Sequence, residues 1–124
     1  MPKNLWGDLG SLAIVRTPKT VLEEQAALLT EATKGLLVGR VLDETQGESF
    51  HYDLAVIVPA LNNYKYTILS VIHSLKIYPV RIRAQRPPVT TGHLSLDAFE
   101  KGIERVLTSS AVRSALSHLR SQVT

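Results

Sequence analysis

Two apolar runs, Tyr52–Pro59 and Tyr64–Ile72, constrain this chain more than anything else in it. Both are dense in Val, Ile, Leu and Tyr, and Leu61-Asn62-Asn63 lies between them as a turn-prone break. Branched and aromatic side chains suit a pleated, half-buried surface, so the pair reads as two strands joined by a tight connection. A third run, Leu36–Leu42, precedes them and a fourth, Ile77–Arg83, follows. Links this short join antiparallel neighbours, because a parallel pair needs a long crossover. A four-stranded antiparallel meander is expected.

Helical patterns flank the strands. Thr17 can cap a helix and Pro18 suits its first position, while Thr20 and Glu23 offer a competing start with capping-box spacing. Val21, Leu22, Leu28, Leu29 and Ala32 then recur at helical spacing, and Gly35 supplies the stop. After the sheet, Gln85-Arg86-Pro87-Pro88 breaks the ladder and Val89–Leu94 reads as a connector. Ser95 caps a helix with the stripe Leu96, Phe99, Ile103, Val106 and Leu107, which Gly102 weakens slightly. Thr108-Ser109-Ser110 recaps the chain for a last helix carrying Val112, Ala115, Leu116, Leu119 and Val123.

The order is α-β-β-β-β-α-α, an α+β fold in a single domain spanning 1–124, and 124 residues suffice for one core. Residues 1–16 form an N-terminal arm in which Leu5, Trp6, Leu9, Leu12, Ile14 and Val15 are candidate anchors, with Trp6 packing over the domain.

Register decides which residues share a face. With Leu61-Asn62-Asn63 as the loop, Val58 faces Tyr66, Val56 faces Ile68 and Tyr52 faces Ile72, so even positions form the core side. A strict two-residue Asn62-Asn63 turn would bring Lys65 and His73 to that side, so the longer loop is preferred. The opposite face then has an apolar half, Ala55, Ile57, Leu69 and Val71, and a basic half, Lys65, Arg81 and Arg83 with Arg86 beyond. Arg40 and Asp53 are placed to pair at its margin. Four adjacent apolar side chains need a cover, and a second copy of the chain is the expected one.

Charge is uneven. Residues 1–53 hold five Lys/Arg against eight Asp/Glu, whereas 54–96 hold five bases and no acid. Such a stretch creates a positive potential that draws anionic partners, although strands are depleted in acids anyway.

Motifs for chemistry are sparse. The absence of cysteine excludes a disulfide framework, a Cys-ligated metal and a thiol nucleophile, and fits a cytoplasmic protein. Residues 5–15 are broken by Gly7, Asp8 and Gly10, so neither a signal peptide nor a membrane span is expected. No phosphate loop, dinucleotide fingerprint or Gly-x-Ser-x-Gly elbow occurs. His51 and Asp53 have the spacing of a base and its orienting carboxylate, but an obvious nucleophile is lacking. His51, Asp53 and His73 share a face in the preferred register yet make a weak metal set, so no metal and no cofactor are expected. Tyr64-Lys65-Tyr66 alternates aromatic and base as in single-strand-binding sheets, but the tyrosines turn from the basic side.

The expected function is therefore a non-enzymatic protein–protein interaction module of the adaptor, chaperone or immunity-protein kind, a homodimer through Ala55, Ile57, Leu69 and Val71. The alternative is binding of an anionic ligand or nucleic acid by Lys65, Arg81, Arg83 and Arg86.

Overall fold

The computed structural model describes residues 2–85 and 88–124. Thr17 wins the competition for the first helix start: its hydroxyl accepts the Thr20 amide at 3.2 Å, and α1 runs Pro18–Ala32 with Pro18 in its first turn. The helix stops where Lys34 and Gly35 take positive φ, 53° and 80°, and the Gly35 amide closes onto the Thr30 carbonyl at 2.9 Å.

Five strands follow: β1 (Val38–Asp43), β2 (Phe50–Val58), β3 (Tyr64–His73), β4 (Val80–Gln85) and β5 (Pro88–His93). All pair antiparallel in the spatial order β1-β2-β3-β4-β5, so the sheet is a meander. Then come α2 (Leu96–Leu107), capped by Ser95, and α3 (Ser110–Ser121), capped by Ser109. The element order matches the expected α+β arrangement with one strand more. The extra strand is the stretch read as a connector. Pro88 sits at the start of an edge strand, where a missing N–H breaks no ladder, and Val89-Thr90-Thr91 then supplies branched side chains.

The pairing of β2 with β3 departs from the expected register. Val58 faces Tyr64 and Val56 faces Tyr66 across a loop of Pro59–Asn63, in which Asn62 and Asn63 are both left-handed. The register then shifts at Leu54/Ala55, so that Ile68 is an extra residue on β3, a β-bulge. Beyond it Leu54 faces Leu69 and Tyr52 faces Val71. The bulge reverses the parity of β3. Leu69 and Val71, expected on the outer face, lie in the core with no exposed surface, and Ile68 joins them there.

The core lies between the sheet and a layer of helices. Phe99, Leu22, Leu37, Val56, Val58, Val80 and Ile82 are among its fully enclosed side chains. Helix α1 packs on β1 and β2, α2 packs on β4 and β5, and α3 lies beside α2 and delivers Val112 and Leu119 to the core. At Gly39 on β1 an added Cβ would stand 2.3 Å from the Ala26 carbonyl oxygen, so α1 touches the strand backbone directly. Thr30 of α1 and Thr33, its C-cap, also satisfy backbone groups where the chain enters β1. The Gly39 amide donates to the Thr30 hydroxyl at 2.9 Å, while the Thr33 hydroxyl accepts the Leu37 amide at 3.1 Å and lies 2.9 Å from the Leu37 carbonyl oxygen.

The arm departs from expectation too. Every described residue before Thr17 is exposed, including Trp6 at 80% and Ile14 at 98%, so Trp6 does not pack over the domain. Local turns shape the arm instead, with Asp8 capping a 3-10 turn over Leu9–Ser11. Among the described residues no helix is long and apolar enough to cross a membrane.

Candidate functional site: the open face of the sheet

All three helices stand on one side of the sheet, and the strand registers fix what the other side presents. One row across it reads Leu42, Asp53, Ser70, Arg83 and Thr90. The next reads His51, Ile72, Arg81 and Gly92. On the far side of the polar row, Arg40 faces Ala55 and Val38 faces Ile57, with Thr67 and Lys65 continuing onto β3.

Asp53 is the polar centre. Its Oδ1 accepts the Ser70 hydroxyl at 2.6 Å and the His51 Nε2–H at 3.1 Å. Ser70 is 4% exposed, and the two strands hold it opposite Asp53, so the bond satisfies a buried hydroxyl. The chain of contacts runs serine–carboxylate–imidazole. A serine nucleophile needs the imidazole against its own oxygen, with the carboxylate behind the imidazole. Here the hydroxyl proton is committed to the carboxylate, and no His51–Ser70 hydrogen bond occurs among the described residues. Asp53 is also engaged away from Arg40, so the expected Arg40–Asp53 pair does not form.

His73 does not join this group. The parity change puts it on the core side, where its ring stacks on Phe50 with centroids 5.1 Å apart and its Nδ1 donates to the Ser74 carbonyl at 2.7 Å. The set His51, Asp53 and His73 is thus split between two faces. Among the described residues no group of three or more His, Asp or Glu side chains is arranged to hold a metal ion.

The bases are redistributed as well. Arg81 and Arg83 point out of the same face two residues apart, beside Ile72 and Ser70 and not beside Lys65. Lys65 lies opposite Ile57, and the five positions from there to Ser70 span roughly 16 Å of strand. The expected basic cluster is therefore two arginines in the middle and a lysine at one end. Arg86 lies outside the described residues. Among the described residues neither Arg81, Arg83 nor Lys65 has a carboxylate within ion-pair distance.

Of the expected apolar group, Ala55 and Ile57 are on this face and Leu69 and Val71 are not. Ala55 has no exposed surface, so Ile57 carries what the group presents, next to Val38. Half-buried Leu42 and buried Ile72 complete the apolar component. Beside them, the β1–β2 turn shapes an open depression of about 530 Å³ lined by Glu44, Gln46, Ser49, His51 and Asp53.

Ser70 was not singled out by the sequence reading, yet a signal for it existed. Polar residues of β3 occupy odd positions at Lys65 and Thr67 and an even one at Ser70. A change of parity inside one strand is what a bulge writes into a sequence. No family model matches the chain, and neither a curated protein nor a solved structure matches it.

Proposed function

We propose that this protein is a non-enzymatic interaction module that docks a partner protein on the open sheet face, with partner carboxylates meeting Arg81 and Arg83. The observation that carries the reading is the pair of arginines itself. They are exposed, side by side and without a carboxylate within ion-pair distance among the described residues, and Asp53, the acid in the row beside them, is already taken by Ser70 and His51. Unpaired charge of one sign beside apolar Val38, Leu42, Ile57 and Ile72 matches a partner that brings the opposite sign and an apolar centre. A second copy is a poorer fit here, because face-to-face pairing around the sheet centre sets arginine against arginine.

An anionic ligand or nucleic acid at Arg81 and Arg83 is the second reading, favoured by the same unpaired charge. It is weaker because among the described residues no Phe, Tyr or Trp stands on this face to stack a base, and the His51 ring is bonded to Asp53. Tyr66 is in the core, and Tyr64 shares its side at the strand end.

Amide chemical shifts of the full chain, titrated with a peptide alternating Glu and Leu and with a single-stranded oligonucleotide of equal charge, test both. The peptide is expected to shift Ser70, Ile72, Arg81 and Arg83, less so at high salt, and the Arg81→Glu/Arg83→Glu variant to lose the response. Tighter binding of the oligonucleotide at the same residues selects the second reading. No shift with either probe removes both.

A further inference from the structure

The two edges of the sheet are treated differently. At β1, hydroxyls of Thr30 and Thr33 occupy backbone groups that would otherwise face solvent. At β5, Pro88, Val89, Thr90, Thr91 and Gly92 are all exposed, and among the described residues their backbone bonds only to β4. An edge of branched, uncharged residues with nothing covering it is a template for another strand. Next to it α2 leaves an apolar cleft of about 240 Å³, lined by Ile82, Ala84, Val89, Thr91, Gly102 and Val106 among others. A free edge with a side-chain cleft beside it is the geometry of strand addition, in which the ladder supplies affinity and the cleft supplies selectivity.

The same chain carries an unused strand. Ser11-Leu12-Ala13-Ile14-Val15 is uncharged, and Leu12 and Ile14 alternate with Ala13 and Val15 as strand residues do. Leu12 already has extended dihedrals, φ −62° and ψ 132°. The arm leaves the domain at Arg16, which pairs with Glu24 of α1 and whose carbonyl accepts the Tyr78 hydroxyl at 3.4 Å. Beyond that point its large apolar side chains are at least half exposed.

We infer that residues 11–15 of one copy add as a strand to the β5 edge of a second copy, with Leu12 and Ile14 entering the cleft beside α2, and that the exchange is reciprocal. Reciprocal exchange closes a two-fold dimer and covers the β5 edge of both copies. Neither strand carries a charge, so pairing their backbones desolvates none, and Arg105, which also lines the cleft, is an exposed residue. Leu12, Ile14 and Val15 at these exposures hold on the order of 400 Å² per arm, and two docked arms with the surfaces they cover fall within the ~1,200–2,000 Å² of a typical stable interface. The inference uses none of the open-face residues and stands or falls independently of the reading above.

Light scattering on the full chain tests it, with an expected mass of twice 13.7 kDa. The Leu12→Asp/Ile14→Asp variant, changed only at exposed arm positions, should give a 13.7 kDa particle with an unaltered circular dichroism spectrum. Because the chain has no cysteine, position can be read by cross-linking. A chain carrying Ile14→Cys, mixed with one carrying Val89→Cys or Thr91→Cys and oxidised, should yield a disulfide-linked pair. A monomeric unmodified chain, a dimer that survives the double aspartate change, or a chain carrying both cysteines that closes the bond only within itself would each overturn the proposal.

Discussion

His93 closes β5 against the middle of α2 and is 9% exposed, with its Nε2 within 2.9 Å of the Thr91 hydroxyl. An added Cβ at Gly102 would stand 2.6 Å from the ring, so the glycine inside α2 is there to let the imidazole approach. The sequence presents that glycine only as a small weakness in a helix, because its partner lies in a stretch whose prolines mask a strand. Burial first, and then the charge of Arg105, push the His93 pKa below the ordinary 6.5. In the window beneath 6.5 the unfolded chain therefore binds a proton that the folded one does not. Stability is full above that pH and declines below it, until the folded imidazole is also protonated. Urea unfolding at about pH 7.5 and about pH 5.5 should show a loss at the lower pH that is smaller in His93→Gln. An equal loss in both proteins would mean that the other histidines or the carboxylates carry the whole effect.

At the scale of elements, the helix starts were legible because capping chemistry is local. Thr17-Pro18, Ser95 and Ser109 are followed within three residues by the amides they accept. Strand number and register were less so. In Ile68–Ile72 every residue but Ser70 is apolar, so a period of two cannot tell which side faces the core, and one bulged residue moves Leu69 and Val71 across the sheet. The contact between α1 and β1 was invisible for a different reason: Thr30 and Thr33 look like ordinary solvent-facing helix residues. Their hydroxyls nonetheless satisfy the Gly39 amide and both backbone groups of Leu37. Replacing each by the near-isosteric Val leaves those groups unpaired in a part-buried seam, which costs about 1–3 kcal/mol per site. Thr30→Val should also speed hydrogen exchange of the Gly39 amide selectively. A variant with unchanged stability and exchange would place water, and not the hydroxyl, on that edge.

At the scale of the whole molecule, one meander covered on one side by three helices leaves its stability resting on a single core, and the two faces should answer the same substitution differently. Ile57 is half-buried on the open face, whereas Leu69 is enclosed between the sheet and the helix layer. Lysine at 57 can extend its ammonium into solvent beside Val38, so Ile57→Lys should cost little and remain folded. Lysine at 69 loses the packing of a buried leucine, worth about 2–5 kcal/mol, and adds the desolvation of a charge with no partner. A domain of this size has a total stability of about 5–15 kcal/mol, so Leu69→Lys should leave most of the chain unfolded at neutral pH. Circular dichroism melts of the two single variants separate the cases. A folded Leu69→Lys protein would put that residue on the open face after all, and with it the uninterrupted register that the bulge at Ile68 replaces. The same pair bears on function, since only the Ile57 change alters the surface offered to a partner while keeping the scaffold that presents Arg81 and Arg83.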